Sequence, residues 1–236
     1  MSKSAFDIVC LQEVPEAFLK RLQTLPCHIT FRTDVERLFK NHTVHNYVVI
    51  LSKYPIESQG EIPFNDYCPL LPLRTRLFVR LMPSRFFSKI CIRVALYADV
   101  TIRETSVRVF NLHLILAQPT WRIKEFETTM TKRDPSRPTI VCGDFNTLQA
   151  PHISPLNWLL GGKLRDALFY NRERTHIEKR FVEHKLTNAL AGSITHPLSQ
   201  SQLDHILVSH SFTIKNAEIL PDRIGSDHHP IFVETT

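Results

Sequence analysis

The hydrophobic positions change period repeatedly along the chain, the mark of a mixed α/β protein. Asp7-Ile8-Val9-Cys10-Leu11 is a short apolar run fit for a buried strand. Val14, Ala17, Phe18, Leu22 and Leu25 then recur at helical spacing, with Pro15 in a first-turn position. Tyr47 to Leu51 predicts another strand, closed by the Lys53-Tyr54-Pro55 turn. From residue 92 the pattern becomes strict alternation, with Ile92, Val94, Leu96, Ala98, Val100 and Ile102 on one face. Glu104-Thr105 turns this strand into an antiparallel partner over 106–115. A helix follows, carrying Trp121, Ile123, Phe126 and Met130 on one side. Residues 138–142 predict a short strand ending at Gly143, and a helix over 152–160 is stopped by Gly161-Gly162. Residues 171–200 are polar and read as a long loop with some helix. Strands return at 203–208, 213–219 and 230–234. Strands and helices interleave with no dividing linker, so residues 1–236 are expected to form a single domain.

Composition adds limits more than detail. An ordinary balance of 43% hydrophobic and 22% charged residues argues against disorder. No apolar run approaches the roughly 20 residues that span a bilayer, and Met1 to Phe6 lacks the apolar core of a signal peptide, so a cytoplasmic location is expected. Five widely spaced cysteines without a CxxC pair argue against a disulfide framework or a structural zinc site. Asn41-His42-Thr43 has no secretory context and is read as chance. The net charge of +6 favours an anionic partner, with modest weight because the basic residues are spread out.

The chemistry gathers in five short segments at the ends of expected strands. They are Leu11-Gln12-Glu13-Val14, Asn111-Leu112-His113-Leu114, Gly143-Asp144-Phe145-Asn146, Leu203-Asp204-His205-Ile206 and Ser226-Asp227-His228-His229-Pro230. Residues two apart on a strand point the same way, so Asn111 and His113 share a face, as do Asp144 and Asn146. Taken singly, each segment has an ordinary structural role, such as a helix-terminal acid or a turn pair. Their joint occurrence, in order and each at a strand edge, points to one assembled site.

In that order the five segments resemble the endonuclease/exonuclease/phosphatase superfamily of metal-dependent phosphohydrolases, over about Asp7 to Val233. The stretch Val48-Val49-Ile50-Leu51-Ser52-Lys53-Tyr54-Pro55-Ile56 fits the same family. The resemblance implies an α/β protein of the α+β type, a four-layer sandwich of two packed, mainly antiparallel β-sheets flanked by helices. It implies Glu13 and Asp227 as acids of a Mg²⁺ or Mn²⁺ site, since hard divalent ions prefer carboxylates. Asp144 and Asn146 match the pair that positions the attacking water and holds the phosphoryl oxygens. His228 matches the histidine that contacts the scissile phosphate, Asp204 the acid that fixes its tautomer, and His113 a second phosphate-facing histidine. Whether Asp144, His113 or His228 is the base stays open.

One departure is visible. Family members begin with a strand ending in an asparagine that supports the metal. Only six residues precede Asp7, and the first strand is read as missing. Val14 after Glu13 moves the reading away from abasic-site endonucleases, which carry a Thr-Lys pair there. His196, in Thr195-His196-Pro197, either stacks on a base or caps a loop; Asn111, Arg74 and Arg76 are further candidates for substrate contact. Phe86-Phe87 is a weak hint of a membrane-touching tip. The expected function is a divalent-metal-dependent phosphodiester hydrolase, a monomer, with nucleic acid slightly favoured as substrate. A phospholipid, phosphoinositide or sphingomyelin phosphodiesterase is the alternative, and a noncatalytic binding module on the same fold is a third reading.

Overall fold

The computed structural model describes residues 6–38, 43–81, 89–90, 93–116, 118–169 and 172–236. Cys91, Ile92, Phe86-Phe87 and the first two sequon residues, Asn41 and His42, lie outside them. Strands β1 (Ile8–Pro15), β2 (His28–Leu38), β3 (Thr43–Ser52) and β5 (Lys89–Ile90) form one sheet, in the order β1-β3-β2-β5. A second sheet is built from β4 (Ile56–Pro63), β6 (Val94–Ile102), β7 (Thr105–His113), β8 (Thr139–Asp144), β9 (Leu186–Asn188) and β10 (Asp204–Ser209). Its order is β4-β6-β7-β8-β10-β9. Every pairing is antiparallel except β7 with β8, which is parallel. A separate ribbon pairs β11 (Ile214–Ile219) with β12 (Ile231–Thr235).

The layers follow from the period of two. On β3, Val48 and Ile50 point into the core shared with Val94, Leu96, Ala98 and Val100 of β6. The alternate residues Val49 and Leu51 point the other way, onto Leu19 and Leu22 of α1 (Glu16–Leu22). On β7, Val107 and Val109 face the first sheet, while Phe110 and Leu112 face the opposite helices. Those helices are α3 (Pro119–Met130), through Phe126 and Met130, and α6 (Arg172–Glu183), through Ile177 and Phe181. Helix, sheet, sheet, helix: the sheets bury apolar side chains on both faces, and the fold is the expected α+β sandwich. The alternating face read from the sequence holds from Val94 to Ile102. No helix among the described residues is long and apolar enough to cross a membrane.

Several elements differ from the sequence pattern. α1 is shorter than its hydrophobic repeat, because Phe18 and Leu25 are half-exposed and only Leu19 and Leu22 are buried. The stretch expected as a long loop with some helix carries both α6 and β9 within its described residues, 172–200. Ion pairs substitute there for missing apolar contacts. Buried Arg122 of α3 pairs with buried Glu173 of α6 (Nη2 to Oε2 2.7 Å) and donates to Asn157 and to the Leu116 carbonyl. Strands β2 and β4 and helices α2 (Leu73–Leu81), α4 (Ser154–Leu159) and α5 (Leu164–Leu168) complete the fold. Of these, only α4 is among the elements expected from the sequence.

Candidate active site

Three neighbouring strands end at one rim. His113 of β7 pairs in register with Asp144 of β8, and Asp144 pairs with Asp204 of β10. Because β7 and β8 are parallel and β10 is antiparallel, two strand ends and one strand start meet there. Directly opposed residues point to the same face, so the three side chains stand side by side. Gly143 makes the approach possible. It has φ +142°, and a Cβ there would sit 1.9 Å from the Leu112 carbonyl oxygen, so only glycine fits between β8 and β7.

The first sheet supplies two acids from strand irregularities. β1 bulges between Leu11 and Val14, and Glu13 in the bulge takes φ +52°, which turns its carboxylate out of the strand pattern. Glu13 Oε1 lies 4.0 Å from His113 Nε2, and Asp144 Oδ2 lies 3.9 Å from the same nitrogen. β2 shifts register between Thr33 and Val35. Asp34, at that shift, is wholly buried with Oδ2 2.5 Å from His113 Nδ1. Burial opposes charge on this ring, but Asp34, helped by Asp144 and Glu13, outweighs it and holds the imidazolium up to about 9. Asp34 escaped the sequence reading because β2 carries alternating charges, and nothing local marks which of them turns inward.

A matching pair stands across the site. Asp204 Oδ2 lies 2.8 Å from Nδ1 of His228. Burial again opposes the charge, and the Asp204 carboxylate raises the His228 ring to about 9. Between the two pairs, burial and the adjoining Asp204 charge push Asp144 up to about 6, against the pull of both imidazoles. Thr195 locks this half of the site. Its Oγ1 accepts from the Leu203 and Asp204 N–H groups at 3.0 Å, and its carbonyl accepts from the His229 N–H at 2.8 Å. His196 follows, its ring 4.8 Å from that of His228 and its Nε2 3.9 Å from Asp227 Oδ2.

Two backbone clamps brace the rim. Arg93 Nη2 donates to the His113 carbonyl at 2.6 Å and pairs with Glu125, whose other oxygen accepts from the Ile115 N–H at 2.7 Å. Behind β10, Arg174 of α6 donates to the Gln202 carbonyl at 2.8 Å and to His205 Nε2 at 2.7 Å. Burial and the Arg174 charge keep His205 well below its ordinary pKa. This gives part of the 171–200 stretch a purpose: its helix supports the strand that carries Asp204.

The structure thus links Glu13, His113, Asp144, Asp204, His228, His196 and Asp227 through a chain of close contacts. Three other candidates are placed differently. Asn111 is fully buried; its Nδ2 donates to the Leu11 and Val49 carbonyls at 2.9 Å, and its Oδ1 accepts from Gln12. It fastens β7 to the first sheet and has no surface to offer a substrate. Arg74 donates to the Trp158 carbonyl at 3.1 Å and the Gly162 carbonyl at 2.5 Å and stacks on the Trp158 ring, so it anchors α2 to α4. Asn146 lies past the end of β8 with φ +52°, so the two-residue rule that aligned it with Asp144 does not apply. Its N–H donates to Asp144 Oδ1 and its Nδ2 to the Leu114 carbonyl, both at 2.8 Å, which orients Asp144 and ties the two strand ends together.

A model of the endonuclease/exonuclease/phosphatase family matches residues 1–228. The chain belongs to that family. Its members are phosphoric-ester hydrolases. Solved structures of similar fold include a family protein from Leptotrichia buccalis at 14% identity, covering 98% of this chain and 88% of the other, with TM-score 0.64. A mannosyl-6-phosphatase from Bacteroides thetaiotaomicron is 19% identical, with 98% and 85% covered and TM-score 0.57. The 3′ phosphatase NExo from Neisseria, solved with a product DNA hairpin, is 17% identical, with 99% and 90% covered and TM-score 0.58. No curated protein matches the chain in a sequence search.

Proposed function

We propose that this family member is a divalent-metal-dependent phosphodiester hydrolase that acts on nucleic acid from one domain. The observation that carries the proposal is the arrangement of two imidazoles, each held at Nδ1 by its own carboxylate, around one half-buried aspartate of raised pKa. With Nδ1 engaged, His113 and His228 present Nε2 to substrate. Both rings are held protonated at neutral pH, so they donate to phosphoryl or leaving-group oxygens and offset the negative charge of the phosphate. Asp144, with its pKa near 6, is the one group of the three that is largely deprotonated at pH 7 yet basic enough to take the proton of an attacking water. Asn146 orients it.

The donors fit a cation. Glu13 and Asp227 present exposed carboxylates, the oxygen ligands that Mg²⁺ and Mn²⁺ take. Bound there, the cation supplies charge neutralisation at the phosphate. Nucleic acid as substrate is supported by the +6 net charge and by the DNA product held by the Neisseria neighbour.

The test is a panel of plasmid DNA, single-stranded oligonucleotide, sphingomyelin vesicles and inositol phosphates, each with Mg²⁺ and with chelator. DNA cleavage that stops with chelator and is lost in Asp144→Ala and His228→Ala is expected. Turnover of lipid but not DNA overturns the substrate, and wild-type rates in either variant overturn the site.

A further inference from the structure

Helix α2 lies with its leucines outward. Leu73, Leu77 and Leu81 are 72%, 50% and 86% exposed, and the exposed Arg76 and Arg80 fall between them, Arg76 donating to the Leu71 and Pro69 carbonyls at 3.0 and 2.9 Å while its charge stays at the surface. Positions i, i+3, i+4, i+7 and i+8 share one side of a helix, so this face reads Leu-Arg-Leu-Arg-Leu. The other side is committed to the protein: Thr75 is 1% exposed, and Arg74 is bonded to the Trp158 and Gly162 carbonyls over the Trp158 ring. Rolling the helix to bury the leucines would break those bonds.

The same habit continues beyond Gly162, which accepts from Arg74. Leu164, Leu168 and Phe169, in and just after α5, are exposed, as are Lys163 and Arg165. Among the described residues, six of the fourteen exposed large hydrophobic side chains therefore belong to two short segments joined through Arg74. α2 contains no acid, and the one acid of α5, Asp166, is engaged by the Lys163 N–H at 2.7 Å. A concentration of outward apolar side chains of this kind marks an interaction surface.

We propose that the α2–α5 face docks the protein on an anionic lipid surface. Leucine and arginine alternate on one helix face, and an anionic lipid surface satisfies both. A second copy of the chain would set Arg76 and Arg80 against cations. A nucleic acid would engage the arginines and leave the leucines in water. At an anionic bilayer the leucines enter the acyl boundary while the Arg80 stem reaches back to the phosphates and the Arg76 charge adds to the attraction. The proposal is independent of which phosphate ester the active site cleaves.

Co-sedimentation of the full chain with vesicles tests it without turnover. Binding to phosphatidylglycerol–phosphatidylcholine vesicles is expected, with none to phosphatidylcholine alone and a decline as salt rises. The triple variant Leu73→Ser, Leu77→Ser, Leu81→Ser should bind at least about tenfold more weakly. Arg80→Gln should lose about fivefold. All four positions are exposed, and an unchanged circular dichroism spectrum checks the fold. Absence of binding to the anionic vesicles, or equal binding by the leucine variant, overturns the proposal. So does a concentration-dependent dimer that the leucine variant dissolves, which would assign the face to a second copy.

Discussion

Asp34 and His113 meet across the two sheets, with the Asp34 carboxylate 2.5 Å from Nδ1 of the imidazole. The acid lies at a register shift of β2 and the histidine at the last position of β7, 79 positions apart in the chain. Asp34 therefore acts through His113: it fixes the ring and sustains its charge. Asp34→Asn should bring the His113 titration midpoint down from about 9 toward an ordinary histidine value, read by NMR in protein free of divalent ions. Turnover should fall roughly 10- to 100-fold, the usual effect of losing a carboxylate partner of a site histidine. An unchanged midpoint would show that the pair does not govern the ring.

The clamp on the same strand end predicts a stability effect. Arg93 and Glu125 are an almost fully buried pair that holds the His113 carbonyl and the Ile115 N–H. Arg93→Met leaves Glu125 buried and unpaired, which should cost about 3 kcal/mol or more in urea unfolding. Replacing both residues by apolar ones should cost less. A double variant as unstable as the single one would refute the desolvation argument.

Gly143→Ala tests the close approach of β7 and β8. The added Cβ would overlap the Leu112 carbonyl, and the backbone at φ +142° is strained for any other residue. A loss of roughly 2–4 kcal/mol is expected, with activity falling because Asp144 moves with the strand. Wild-type stability would contradict the geometry.

Asp99 predicts an acid-side signature away from the site. Burial opposes its charge, but bonds from Arg108, Ser58 and Arg137 hold the carboxylate far below the usual range. Its unfolded value is about 3.9. A depressed folded pKa contributes stability that is complete above the unfolded value and is lost as pH falls toward the folded one. Unfolding midpoints of the wild type should therefore drop more steeply below about pH 5 than those of Asp99→Asn, which starts lower at neutral pH. Parallel pH profiles would exclude the linkage.

Much of the fold was legible in the chain, and the unread parts have identifiable reasons. β6 and β7 were readable because each buries one face of alternating apolar residues against the other sheet. β2 was not, because His28–Leu38 alternates apolar with charged residues and buries one of the charges, Asp34. α6 was half-read as loop, since only Ile177 and Phe181 anchor it to the core and an ion pair does the rest. α2 carries leucines at helical spacing, and what the chain alone does not show is that this stripe points away from the protein.

Within the site the division is sharper. Glu13, His113, Asp144, Asp204 and His228 announced themselves through motifs at strand edges, which are local features of about four residues. What Asn111 and Arg74 bind, and the partnership of Asp34 with His113, depended on which backbone groups each side chain meets once the sheets stack and the helices dock. A local pattern encodes period and capping, and so it determines strands, turns and the residues offered at their ends. Contacts between strands far apart in the chain depend on register and on bulges, which shift a side chain from one face to the other. Only the assembled sandwich decides those.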